Sequence, residues 1–119
     1  PFRSLTKPIG DAQAIAHILQ NQGDFRVELL TQSKQLQYKA LVTAIQTFVQ
    51  QRAAGDEALI YYTGHGFPLV KDFGETEAFL APVDCSVSVE NAQITAQRNG
   101  LSLASLNRFV AKASFSNLV

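Results

Sequence analysis

Apolar residues first recur at helical spacing at Ala12, Ile15, Ala16 and Leu19, which predicts a helix over 11–22 with Asp11 as its cap and Gly23 as its stop. Phe25, Val27 and Leu29 then alternate with polar neighbours, and a period of two predicts a short strand over 25–30. Leu41, Ala44, Ile45, Phe48 and Val49 share one helical face and predict a second helix, stopped by Gly55. Residues 58–62 form a nearly unbroken apolar run. Its brevity, its Ile60, Tyr61 and Tyr62, and its place after a helix are those of a strand buried on both faces of a parallel sheet.

A polar loop follows, then a brief strand over 78–81 closed by Pro82. Ser102 is placed to cap a third helix whose apolar face is Leu103, Leu106, Phe109 and Val110, and 117–119 reads as the start of another strand. Helices alternating with strands imply right-handed crossovers and an α/β layer fold with a parallel sheet covered by helices. No repeat or low-complexity linker divides the chain, so residues 1–119 are read as one domain.

Composition narrows the partners. Ten basic and ten acidic residues cancel and are scattered, so no electrostatic footprint for nucleic acid or anionic lipid is present, and peptides are the expected partners. The apolar runs are too short to cross a bilayer, and no export signal precedes the first helix. The single cysteine, Cys85, cannot form an internal disulfide and suits a reducing compartment, here the cytoplasm. A start at Pro1 and the lack of any methionine imply that the sequence is not a complete translation product.

The run at 58–62 ends abruptly in Thr63-Gly64-His65-Gly66. Reactive groups in parallel sheets collect beyond the carboxyl ends of the strands, and His65 occupies that place between two glycines that permit close approach. A histidine there can take a proton from a thiol or hydroxyl and return it to a leaving amine, and the Gly66 amide can face a developing oxyanion. A plain turn histidine between glycines accounts for the same residues equally well, and position alone does not choose between the two.

The segment Ala58-Leu59-Ile60-Tyr61-Tyr62-Thr63-Gly64-His65-Gly66 resembles the strand and catalytic-histidine turn of the caspase and metacaspase superfamily. Further segments agree in order: Gly10-Asp11-Ala12 opening a helix, Phe25 to Leu30 as the next strand, Phe79-Leu80-Ala81-Pro82-Val83-Asp84, and Gly100-Leu101-Ser102-Leu103 opening a helix. The pattern is similar to the orthocaspase-type, cyanobacterial members. The resemblance implies an incomplete three-layer caspase-like fold with a mostly parallel central sheet flanked by helices. The first strand would precede Pro1, and the strand bearing the nucleophilic cysteine would begin at about Asn117.

The resemblance further implies a cysteine endopeptidase working through a Cys-His dyad, with His65 as general base and Gly66 as oxyanion donor. Caspases place the cysteine about 50 residues after the histidine, so it is expected just past Val119, and the chain as given is expected to be inactive alone. Cys85 follows Pro82-Val83-Asp84 in what the family treats as a loop, and a free cysteine is more often structural than reactive. Asp11 matches the acid that selects a basic residue before the scissile bond, and Thr63 its hydroxyl neighbour. For Asp11, a helix cap alone and a cap that also lines the pocket both remain open. Cleavage after Arg or Lys is expected, since a carboxylate pairs with guanidinium and repels aspartate.

Glu77 matches one calcium-binding acid of metacaspases, but the paired acids expected near Leu103 and Ala104 are missing, so no metal and no cofactor are expected. Lys71-Asp72 and Glu75-Thr76-Glu77 read as a solvated loop. The partners expected are a peptide or protein substrate and further domains fused on either side. The alternative is a non-catalytic caspase-like module for binding or assembly. A serine hydrolase is disfavoured, because no serine stands in a Gly-x-Ser-x-Gly elbow.

Overall fold

The computed structural model describes residues 7–23, 25–112 and 117–118. Helix α1 runs from Lys7 to Asn21, α2 from Tyr38 to Gln50 and α3 from Leu103 to Ala111, with a 3-10 turn at Ser33–Leu36. The strands are β1 (Glu57–Ala58), β2 (Gly66–Val70), β3 (Thr76–Leu80), β4 (Ser86–Glu90), β5 (Gln93–Arg98), β6 (Leu101–Ser102) and β7 (Asn117–Leu118). They form a parallel pair β1–β7, an antiparallel sheet in the order β2–β3–β6, and the antiparallel hairpin β4–β5.

Three helices appear where the apolar spacing predicts them, with corrected ends. Helix α1 begins at Lys7, so Asp11 stands inside the helix and is not its cap. Pro8 belongs in a first turn, where its missing amide costs no hydrogen bond, and this carries the start upstream. Helix α2 ends at Gln50, after which the Gln51 amide donates to the Thr47 carbonyl and the Arg52 amide to the Val49 carbonyl, so Gly55 does not stop it. Gly55 instead takes a φ of 92° in the turn after it, where Ala53 donates its amide to the Asp56 carboxylate at 2.7 Å. Ser102 caps α3 as expected, its hydroxyl accepting from the Ser105 amide at 3.1 Å.

The strands depart further from expectation. Residues 25–30 carry no ladder among the described residues. In the 58–62 run the ladder covers only Glu57–Ala58, paired with Asn117–Leu118, and Tyr61 is 50% exposed, so the run is not buried on both faces. One neighbouring strand among those described covers one side only. Instead of a polar loop after Gly66, residues 66–80 form a hairpin, with Gly66 opposite Leu80 and Val70 opposite Thr76. The β4–β5 hairpin was likewise unpredicted. It turns on Asn91 and Ala92, both at positive φ (50° and 63°), a geometry that a turn search keyed to glycine passes over. The alternation Val87, Val89 and the apolar Ile94 opposite was its available signal.

The core lies between the two hairpins. Phe67, Phe79 and Cys85 are buried together, with Leu69, Ala81, Val87 and Ile94 packed around them. The two rings stack at 5.4 Å between centroids and 6° between planes. Since Phe67 faces Phe79 across the β2–β3 ladder, the pair fixes the register of the hairpin that His65 leads into.

Candidate active site

His65 is the last residue before β2, so its main chain is set by the hairpin rather than by the apolar run preceding it. The Ala81 amide donates to the His65 carbonyl at 3.0 Å, extending the β2–β3 pairing one residue beyond its assigned end. Tyr62 folds back over the turn and donates its hydroxyl to the same carbonyl at 2.7 Å. A weaker contact of 3.4 Å joins that hydroxyl to the Ala81 carbonyl. Burial pushes the Tyr62 phenol above its ordinary pKa, so it stays a proton donor across neutral pH.

The reversal that brings Tyr62 over His65 requires glycine at 64. Gly64 has a φ of 156°, and a Cβ there would lie 2.9 Å from the Tyr62 hydroxyl. The Thr63-Gly64-His65-Gly66 turn is therefore a consequence of local sterics as well as a sequence motif.

The hairpin also orients Gly66. Hydrogen-bonded and non-bonded pairs alternate along an antiparallel ladder, and the bond from Ala81 to His65 makes that pair a bonded one. Gly66 and Leu80 are then the next, non-bonded pair, and the Gly66 amide turns away from β3. Since β2 is an edge strand of its sheet, that amide faces the side with no ladder partner among the described strands.

Thr63, His65 and Gly66 are brought together by chain continuity, with Thr63 and His65 half-buried. Asp11 is half-buried on α1, a separate element, in its second turn. Glu77 lies on β3, pairs with Lys71 at 3.0 Å and accepts a hydrogen bond from the Ser102 hydroxyl. Those two donors hold its carboxyl below the usual carboxylate range, the Ser102 bond contributing most. Among the described residues no three acidic, histidine or cysteine side chains gather as metal ligands, and Glu77 is already engaged, so a calcium ion does not fit this donor set.

Cys85 is 7% exposed, and burial pushes its thiol pKa up, with the adjacent Asp84 adding to the rise. A thiol so placed is the opposite of an activated nucleophile. Asp84 is a residue whose work the sequence did not show. Its carboxylate accepts from the Tyr38 amide at 2.8 Å and supplies the side-chain cap that Gln37 does not give α2. Asn99 donates to the same residue at 3.3 Å, so the loop after β3 is tied to both α2 and the β5–β6 corner.

The glycine-flanked histidine turn is thus mounted on a hairpin within a fold of helices and strands. The match to the caspase-domain family model of peptidase C14 extends over residues 2–113 of the 119, and the chain belongs to that family. No curated protein and no solved structure matches it. Membership carries peptidase-type, protein-directed chemistry at the general level. Among the described residues no helix is long and apolar enough to cross a membrane.

Proposed function

We propose that this chain carries the histidine half of a caspase-like cysteine endopeptidase site that cleaves after Arg or Lys. His65 acts as general base toward a cysteine and as acid toward the leaving amine, while the Gly66 amide receives the oxyanion. The observation that carries this reading is the orientation of the Gly66 amide away from β3, next to a histidine fixed at the mouth of the hairpin.

The nucleophile is a cysteine other than Cys85. Glu57 and Ala58 pair in parallel with Asn117 and Leu118. The strand that begins there is the one on which the caspase spacing puts the cysteine, just past Val119. Without that cysteine these 119 residues are inactive alone, and the single domain has the three-layer, mostly parallel sheet of the caspase-like fold. Asp11 and Thr63 line the pocket for the basic residue, with Asp11 contributing charge from within α1. The orthocaspase-type bacterial class and a cytoplasmic setting accord with the motif order and the lone thiol.

The test is hydrolysis of Arg, Lys and Asp fluorogenic peptides by the full-length protein, beside His65→Ala. Arg-directed turnover that falls by about 10²–10⁴-fold in the variant supports the dyad. Turnover that survives His65→Ala removes His65 from the dyad, and complete absence of turnover from the full-length protein leaves a binding module instead.

A further inference from the structure

We infer that Tyr62 is a positioning residue of this site, whose phenol fixes the His65–Gly66 peptide plane and thereby aims the Gly66 amide. The inference rests on the peptidase reading above and deepens it. A trans peptide is planar, so the carbonyl of His65 and the amide of Gly66 are one rigid unit pointing in opposite directions. Whatever grips the carbonyl sets the direction of the amide.

Two donors grip it, from separate parts of the chain. The Ala81 amide reaches the His65 oxygen at 3.0 Å from the end of β3, and the Tyr62 hydroxyl reaches it at 2.7 Å from the incoming segment. A carbonyl oxygen has two lone pairs, and both are then used. One hydrogen bond leaves a peptide free to rock about it, whereas two donors hold its plane. Donation to the carbonyl also polarises the peptide and makes its amide a stronger donor, through the cooperativity of linked hydrogen bonds. The phenol stays protonated because burial raises its pKa, so the grip persists throughout the neutral range.

Gly64 is an independent sign that this contact is built into the turn. Its Cβ would lie 2.9 Å from the Tyr62 hydroxyl, so the glycine before His65 is the residue that lets the phenol in. A tyrosine serving only as packing would need its ring there and not its hydroxyl. Tyr62→Phe separates the two, keeping the ring and removing the donor.

The experiment pairs kinetics with a resonance. In this sequence His65-Gly66 is the sole His-Gly peptide, so carbonyl-13C histidine with 15N glycine marks that bond, and the signal that His65→Ala removes assigns it in the full-length protein. In the full-length protein, Tyr62→Phe is expected to move the His65 carbonyl and Gly66 amide resonances. It should also lower kcat about tenfold with KM within about twofold, since an oxyanion donor acts in the transition state.

An unmoved resonance overturns the inference, because the hydroxyl then does not hold the carbonyl. Unchanged kcat in a protein that His65→Ala inactivates also overturns it and leaves the peptidase reading intact. Full activity in His65→Ala removes the peptidase reading and this role for Tyr62 together.

Discussion

Two neighbouring stretches of this chain, residues 57–66 and the hairpin core of Phe67, Phe79 and Cys85, meet at Gly66 and differ in nearly every physical respect. The core is buried, stacked and in register across a five-pair ladder. The stretch before it has ladder bonds only at Glu57–Ala58, half-exposes Tyr61, and reaches His65 through a glycine at a φ of 156°. The one thiol lies on the buried side and the candidate imidazole on the open side. Reactive chemistry needs access and room for charge, whereas packing needs neither, so a fold can keep the two one residue apart by mounting an irregular turn on a rigid hairpin.

The sharpest way to break that comparison is to remove the rigid side. Phe79→Ala takes a stacked ring from the centre of the core and is expected to cost about 3–5 kcal/mol, read as a lower urea midpoint. A loss under about 1 kcal/mol would mean that the hairpin is not what holds the turn. The open side should respond less and more locally. Gly64→Ala forces a Cβ toward the Tyr62 hydroxyl and an unfavourable φ, at a cost of about 1–3 kcal/mol. Its signature is a displaced His65-Gly66 resonance greater than any change around Phe67, and equal changes in both would merge the two regions into one.

Cys85 and its surroundings give a third measurement. In the native protein, iodoacetamide should label Cys85 roughly ten times more slowly than in urea, because its thiol is buried and its pKa raised. Rapid native labelling would move Cys85 to the reactive side of the comparison.

The smallest effect concerns the strut from β3 to α3. The Glu77 carboxyl is depressed below its ordinary value of 4.5 by Ser102 and Lys71. Its contribution to stability is thus complete above that value and is lost as pH falls from about 4.5 through the depressed pKa. In Tm against pH, Glu77→Gln should lower the plateau at neutral pH by about 1–3 °C and flatten the acid limb, so that the two proteins converge at low pH. An unchanged limb would show that the partly exposed pair is fully screened.

The three helices were legible because each writes its own period: Leu41, Ile45 and Val49 fall on one face whatever lies across from it, and Ser102 caps α3 with a bond three residues long. The Thr63-Gly64-His65-Gly66 turn was legible for a similar reason, since its glycine and histidine need only local geometry to be conspicuous. The first strand of the 66–80 hairpin was passed over because Pro68, Lys71, Asp72 and Gly74 make the composition loop-like, whereas the strand expected at 78–81 overlaps β3. Only the partner strand, and the stacking of Phe67 on Phe79, reveals it. Asp11 shows the limit at a helix end: an aspartate before an apolar face has the pattern of a cap, yet Pro8 begins the helix a turn earlier.

By itself, then, the amino-acid order determined the helical faces, the glycine-flanked histidine and membership of the caspase-domain family, because each depends on residues near one another in the chain or on a motif order. The tertiary structure alone decided that Cys85 is buried with its thiol pKa raised, that Asp84 caps a helix 46 residues away, and that one carbonyl receives both Tyr62 and Ala81. Burial and long-range hydrogen bonds are relations between distant residues, and no periodicity within a segment encodes which distant partner will arrive.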